Sequence, residues 1–303
     1  MKNKVVLIGC GNVGMSYAYA LLNQKTSVRE LILIDLDAKR IEGEAMDLNH
    51  CLAFSPSEVN VRIGSYADCS DAKIVVIAAG ANQAPGETRM DLIGKNSKIF
   101  KTIVSEVVNS GFDGIFVVAT NPLDVMTYLT YKYSKFPTNK VMGTGTSLDT
   151  ARLKYMIGNK LGISPKNIHA YVVGEHGDSE FVPWSNANVG LQPIKTFLSD
   201  IELEEIHNKV KNAAYEIIDR KGATYYGIGT ALVRITNAIL NDENTILTVS
   251  TYDINNDIYM GMPCIVNASG VKQKIFIQLN DDETKKLQKS VDIIKNAIDS
   301  IDE

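Results

Sequence analysis

No apolar run in this 303-residue chain approaches the ~20 residues a helix needs to cross a bilayer, so no membrane span is expected. The four cysteines, Cys10, Cys51, Cys69 and Cys264, have no CxxC or CxxH spacing. That argues against a disulfide scaffold and against a zinc site, and we expect no metal. Positive charge is not in excess: the formal net charge is −4, which leaves no basic field for nucleic acid or an anionic membrane surface. Lys2 and Lys4 precede an apolar stretch that stops at Gly9, too short for a secretory signal, so a cytoplasmic protein is expected. Repeats, low-complexity tracts and linkers are lacking as well. With 45% hydrophobic and 22% charged residues, the rest is ordinary globular material, enough for one large domain or two of common size.

The first informative stretch is Gly9-Cys10-Gly11-Asn12-Val13-Gly14. It sits between a β-branched run, Lys4 to Ile8, and an alanine- and leucine-rich stretch, Val13 to Leu22, that reads as a helix. In G-x-G-x-x-G the first glycine makes a tight turn, the second admits a pyrophosphate to the backbone, and the third lets helix and strand pack closely. Unpaired N–H groups and the positive end of the helix dipole then face the phosphates. Alone, the motif is weak. Here a second strand, Leu31 to Ile34, ends in Asp35, roughly 20 residues further on, where a carboxylate can bond a ribose diol and repel a 2′-phosphate. Neither Leu36 nor Asp37 offers a compensating cation. Capping the following helix would be a purely structural use of Asp35. Strand, glycines, helix, strand and acid in this order predict dinucleotide binding, with NAD favoured over NADP.

Strands and helices go on alternating. Helices are expected over Ala38 to Asn49, Leu92 to Asn109 and Leu123 to Tyr133, and strands over Asn60 to Ile63, Lys73 to Ala79, Gly114 to Val118 and around Val141. The fold class predicted is α/β: a Rossmann doubly wound parallel sheet over residues 1–145, followed by an α+β substrate domain over 146–303. Ligands of such sheets bind at the carboxyl ends of the strands, where Gly80, Asn121 and Thr144 fall. Beyond residue 145 the regular alternation stops. Ile201 to Asp219 and Gly222 to Leu240 read as helices; Thr245 to Tyr252, Cys264 to Ala268 and Gln273 to Gln278 read as strands. Asn280 and Glu283 form a capping-box pattern before a last helix, whose apolar Leu287, Val291, Ile294, Ile298 and Ile301 suit docking on the body.

Three stretches carry candidate chemistry. The polar connection from Gly80 to Asp91 has no apolar anchor, which suits a solvated loop or, above the cofactor end of the sheet, a lid carrying Arg89 inward. Asp149 and Arg152 lie one turn apart near the start of a helix that runs to about Leu161. They could be a helix cap and a weak local ion pair, or two groups aimed into one cleft. Finally, Gly174-Glu175-His176-Gly177-Asp178 follows Ile168 to Val173, which reads as a strand. Glycines beside His176 leave room for a ligand, and an ordinary pKa of about 6.5 suits proton exchange near neutrality. A histidine that merely caps a turn is the plain alternative.

On the stretches GCGNVG, Asp35, GANQAPGETR, ATNPLDV, GTSLDTARLKY, GEHGDSE and KGATYYG, the whole chain resembles the L-lactate and malate dehydrogenase family, its lactate branch most closely. The resemblance implies that His176 exchanges the proton, with Asp149 as its carboxylate partner. It implies that Arg152 binds the substrate carboxylate and that Arg89 arrives with the lid. Asn121 would lie near substrate and nicotinamide, and Thr224 would line the substrate pocket. The expected cofactor-binding set is Gly9, Gly11, Val13, Gly14, Asp35, Arg40, Tyr66, Gly80, Ala81, Thr120, Asn121 and Thr144, the cofactor being NAD.

The activity so implied is reversible hydride transfer between NADH and pyruvate, giving L-lactate in glycolysis and fermentation, by a homotetramer. The malate branch has arginine where this chain has Gln83, and a neutral amide is a poor place to bury a second substrate carboxylate. Turnover of malate or a bulkier L-2-hydroxy acid is the alternative. A non-catalytic NAD sensor is a distant one, since sensors can lose the proton donor or the carboxylate clamp that this chain keeps. Many bacterial relatives are activated by fructose bisphosphate, gripped by an arginine and a histidine. His169 matches that histidine, but Lys154 stands in the arginine position, so little or no activation is expected.

Overall fold

The computed structural model describes residues 3–81 and 89–301, residues 89–91 by backbone alone. In chain order the elements of the first half are β1 (Lys4–Ile8), α1 (Asn12–Leu22), β2 (Glu30–Ile34), α2 (Ala38–His50), β3 (Asn60–Ile63), β4 (Ile74–Ile77), α3 (Arg89–Asn109), β5 (Ile115–Val118), α4 (Leu123–Ser134) and β6 (Val141–Gly143). The second half adds α5 (Ser147–Leu161), β7 (Ile168–His169), β8 (Asn188–Val189), β9 (Gln192–Pro193), α6 (Asp200–Lys221), α7 (Tyr226–Leu240), β10 (Thr245–Asp253), β11 (Ile258–Asn267), β12 (Gly270–Lys274) and α8 (Asp281–Asp299).

Nine strands form one sheet in the order β12-β11-β10-β6-β5-β4-β1-β2-β3. Strands β1 to β6 run parallel. Their apolar runs, such as Ile74–Ile77, are buried on both faces, so the sheet must be covered twice. Val5 and Leu7 of β1 belong to one apolar layer, shared with α1, α2, α7 and part of α8. Val6 and Ile8 face the other layer, where α3 and α4 pack. The strand order reverses between β1 and β4, which opens the crevice where doubly wound sheets bind nucleotides.

The second half is not detached from this sheet. Strand β10 pairs antiparallel with β6 through Ser250 and Gly143, and β11 and β12 continue the sheet outward. Helix α7 crosses α1 at Gly229, where a Cβ would stand 2.7 Å from the Ser16 carbonyl carbon. The buried Tyr17 hydroxyl meets Thr236 Oγ1 at 2.9 Å across the same contact. A third, smaller core joins α5 and α6 to β7 through Leu153, Ile157, Ile168, Leu203 and Val210. Among the described residues, no helix is long and apolar enough to cross a membrane.

Several local expectations need correction. Ile168 to Val173 is not one strand: only Ile168–His169 pairs as β7, while Val173 bridges to Phe181 and Gly174 to Gly261. The helix expected from Gly222 begins at Tyr226, because Gly222 takes a left-handed φ of +83° and ends α6. Strand β11 starts at Ile258, earlier than Cys264, and β12 covers Gly270–Lys274, earlier than Gln273 to Gln278. Helix α8 does carry the Asn280–Glu283 capping box and buries Val291 and Ile294.

Candidate active site

Between β1 and α1 the chain turns at Gly9, with φ +94°, and a Cβ there would lie 2.3 Å from the Ala79 nitrogen. At Gly14 a Cβ would lie 2.1 Å from the Gly9 carbonyl oxygen, so this glycine lets α1 press on β1. Gly11 differs: nothing comes within 4 Å of its missing Cβ. It also caps α1 without a side chain, so no capping side chain takes the first-turn N–H groups, which no helical carbonyl can reach. Room, donors and dipole together fit a pyrophosphate.

Asp35, at the end of β2, does not cap α2; Asp37 does, accepting from the Arg40 N–H at 3.0 Å. The Asp35 carboxylate instead accepts from the Cys10 N–H at 2.7 Å, which orients it along the glycine turn. A cation does stand nearby, though not at Leu36 or Asp37: the Arg40 guanidinium donates to the Cys10 carbonyl. Helix α2 brings it there. Val13 lies in the first turn of α1, and Tyr66 is half-buried after β3. At the ends of β4, β5 and β6, Thr120 donates to the Ala79 carbonyl at 2.8 Å and the Thr144 N–H to the Val118 carbonyl at 2.9 Å. Asn96 of α3, wholly buried, accepts from the Ala81 N–H at 2.8 Å and donates to the Asn121 carbonyl at 3.1 Å. It thereby clips the Gly80–Ala81 and Asn121 loops together, a role no motif announced.

On the far side of the crevice, His176 Nδ1 meets Asp149 Oδ2 at 2.7 Å, while Asp149 Oδ1 accepts from Arg152 Nη1 at 2.9 Å. Thr146, not Asp149, occupies the cap position of α5, so Asp149 is freed from capping and buried at 3% side-chain exposure. The His176 side chain keeps 26% exposure, enough to meet a ligand. Its loop is pinned at one end by reciprocal hydrogen bonds of 2.9 Å between Gly174 and Gly261 of β11. It is pinned from beneath by Asp124 of α4, which accepts from the His176 N–H at 2.7 Å and the Ser250 hydroxyl at 2.5 Å. Burial alone would lower the His176 pKa, but the charge and hydrogen bond of Asp149 overcome it and raise it to about 9. Burial likewise opposes the charge of Asp149, and His176 and Arg152 outweigh it, holding that carboxyl below its ordinary value. Burial pushes the Asp124 carboxyl up to about 6 despite its two donors, which pull the other way.

Other expected site residues are not drawn into this cluster by hydrogen bonds. Thr224 lies half-buried in the connection between α6 and α7. His169 is exposed on β7, and the Lys154 ammonium lies over the Tyr171 ring at 4.7 Å. Gln83 and the Arg89 side chain lie outside the described residues, and the helix expected from Leu92 already begins at Arg89, so the expected loop ends before that residue. Beyond Asn96, two buried acids went unread in the sequence, Asp124 and Glu180. Asp124 stands in the first turn of α4, where an acid looks like ordinary dipole compensation.

An imidazole kept protonated across a crevice from a dinucleotide cradle is what reduction of a carbonyl demands. Fold and site therefore define a nucleotide-dependent dehydrogenase. A family model described as lactate/malate dehydrogenase, NAD binding domain, matches residues 3–143, and one described as lactate/malate dehydrogenase, alpha/beta C-terminal domain, matches 146–303. The chain belongs to the lactate/malate dehydrogenase family, and its cofactor is NAD. It is 51% identical over 306 residues to L-lactate dehydrogenase 2 of Bacillus cereus, covering 98% of this chain and 97% of that one. It is 49% identical over 312 residues to L-lactate dehydrogenase of Borrelia hermsii, covering 99% of both. Among solved structures it matches a lactate dehydrogenase from a Medee basin deep-sea metagenome library with TM-score 0.96 at 51% identity, covering 99% of this chain and 98% of the other. The ligands-bound minor L-lactate dehydrogenase of Enterococcus mundtii gives 0.96 at 46% identity, covering 99% of each.

Proposed function

We propose that this protein is an L-lactate dehydrogenase, interconverting pyruvate and L-lactate. The observation that carries the reading is the Arg152–Asp149–His176 chain, in which one buried carboxylate holds a cation with each oxygen. NADH, when bound, supplies the hydride. His176 donates a proton from its exposed edge to the carbonyl oxygen, and Asp149 keeps the ring oriented and charged while it does so. Arg152 uses one nitrogen on Asp149, leaving the rest of its fork for the substrate carboxylate. Arg89 closes over the carbonyl, Asn121 and Thr224 flank the substrate, and Gln83 meets its third carbon. The glycine turn, Val13, Asp35, Arg40, Tyr66, Gly80, Ala81, Thr120, Asn121 and Thr144 hold the cofactor.

The division into a cofactor domain, 1–145, and a substrate domain, 146–303, belongs to the same reading, as do a homotetramer and a cytoplasmic location. The test is NADH oxidation with pyruvate, oxaloacetate and 2-oxoisocaproate. Pyruvate should have the highest kcat/KM. Burying an unpaired carboxylate against Gln83 costs several kcal/mol, so oxaloacetate should trail by about a hundredfold or more. Gln83→Arg should narrow that gap. Equal turnover of oxaloacetate by the unaltered enzyme would point to a malate dehydrogenase, and no turnover of any 2-oxo acid to a sensor.

A further inference from the structure

One buried side-chain oxygen among the described residues has no hydrogen-bond partner: Oε1 of Glu180. A buried carboxyl oxygen without a partner is costly, and proteins retain few of them. Glu180 is 5% exposed and lies four residues after His176, on the turn where its N–H donates to the Gly177 carbonyl at 3.2 Å. Its carboxyl does not join the Asp149–His176 hydrogen bond. Yet a Glu180 oxygen, an Asp149 oxygen and a His176 nitrogen all lie within 4.8 Å of one another.

We infer that Glu180 is a positioning residue for proton exchange, setting through space how firmly His176 holds its proton. The inference rests on His176 being the proton exchanger. Opposite charges this close in a buried pocket interact strongly, and like charges repel as strongly. An ionised Glu180 therefore favours the imidazolium but disfavours a second negative charge beside Asp149, so Glu180 and His176 titrate together rather than singly. The groups facing Glu180 come from three elements. Asp149 and Arg152 project from α5, His176 from its loop, and Lys211 from α6, where His207 Nε2 also meets the Glu180 backbone carbonyl at 3.2 Å. Burial, then the Asp149 charge, push the Glu180 carboxyl up to about 8, with His176, Arg152 and Lys211 pulling the other way. At neutral pH the carboxyl is then mostly uncharged and becomes a local anion as the solution turns alkaline. The site gains negative charge as the proton on His176 becomes scarce, which extends the range over which the imidazolium survives.

The experiment is an NMR titration of the His176 ring in the free protein, with the four histidine signals sorted using His176→Asn. It is run on the unaltered protein, Glu180→Gln and Glu180→Asp. Glu180→Gln should lower the His176 pKa by about half a unit or more, and Glu180→Asp, which restores a carboxyl, should recover part of the shift. The alkaline limb of the reduction rate should move with it. An unchanged His176 titration in a folded Glu180→Gln protein overturns the proposal, as does a fall in activity without a shift. If that variant does not fold, carbon-13 titration of glutamate carboxyls in the unaltered protein decides: a Glu180 signal that titrates independently of the His176 ring overturns it. Because the ring titration needs no substrate, its result holds even if pyruvate is not turned over.

Discussion

At His176, burial and charge pull in opposite directions, and the sign of the result determines what the residue can do. A loop histidine left to itself would titrate near 6.5, and burial would take it lower. The contact with Asp149 at 2.7 Å reverses this and holds the proton to about 9. If, as proposed, His176 is the proton donor, pyruvate reduction consumes the imidazolium, and its kcat/KM should be level across neutral pH and fall as pH rises through about 9. Lactate oxidation, which needs the neutral ring, should rise over the same interval. Steady-state profiles in both directions check this, and a reduction limb centred near 6.5 would show that Asp149 does not govern the ring. His176→Asn should still quench or enhance NADH fluorescence on binding, with turnover reduced by about 10²–10⁴-fold, the usual worth of a general acid.

Among the elements, α8 depends heavily on one side chain. Its capping box uses Glu283, whose carboxylate also accepts from the Ser185 N–H at 2.9 Å and the Ser185 hydroxyl at 2.5 Å. One buried side chain thus starts the helix and ties it to the segment that follows the His176 loop. Glu283→Ala should lower stability by about 1–3 kcal/mol, through a lost cap and unsatisfied donors. Glu283→Gln, which can still complete a capping box, should cost less. Urea unfolding midpoints at constant slope distinguish the two, and a Glu283→Ala midpoint equal to that of the unaltered protein would mean that the cap and the Ser185 contacts contribute nothing.

For the molecule as a whole, the site's titrations set a pH dependence of stability. The His176 pKa is raised in the folded state, so its contribution is complete below about 6.5 and is lost as pH climbs through about 9. Glu180, raised to about 8, acts in the same direction from its ordinary 4.5 upward. The melting temperature of the protein without cofactor should therefore decline between about pH 6.5 and 9. His176→Asn should flatten that decline, and an identical slope in the variant would refute the assignment. Regulation belongs to this scale too. Lys154 is half-buried, with its ammonium over the Tyr171 ring, and burial lowers its pKa, which disfavours the charged form that a phosphate would bind. Fructose bisphosphate should change the apparent KM for pyruvate by less than about tenfold, or about 1.4 kcal/mol of coupling. Lys154→Arg should enlarge the effect.

Much of this was readable along the chain because it is written in local pattern. Apolar strands alternating with amphipathic helices define a doubly wound sheet, and Gly9 and Gly14 occur where backbone geometry admits little else, while Gly11 leaves the room a phosphate needs. His176, Asp149 and Arg152 were marked by residue type, spacing and the company of glycine. What local pattern cannot express is which distant groups share a pocket. Asp124 in α4 reaches the His176 backbone and Ser250 of β10, Asn96 joins two strand-end loops, and Arg40 arrives at the glycine turn from α2. In sequence Asp124 and Asn96 resemble ordinary helical polar residues, and Arg40 was marked only by the family resemblance. Only when the sheet closes and water is excluded does each find its partners, and burial then gives their charges and hydrogen bonds the strength that sets the proton affinity of the site.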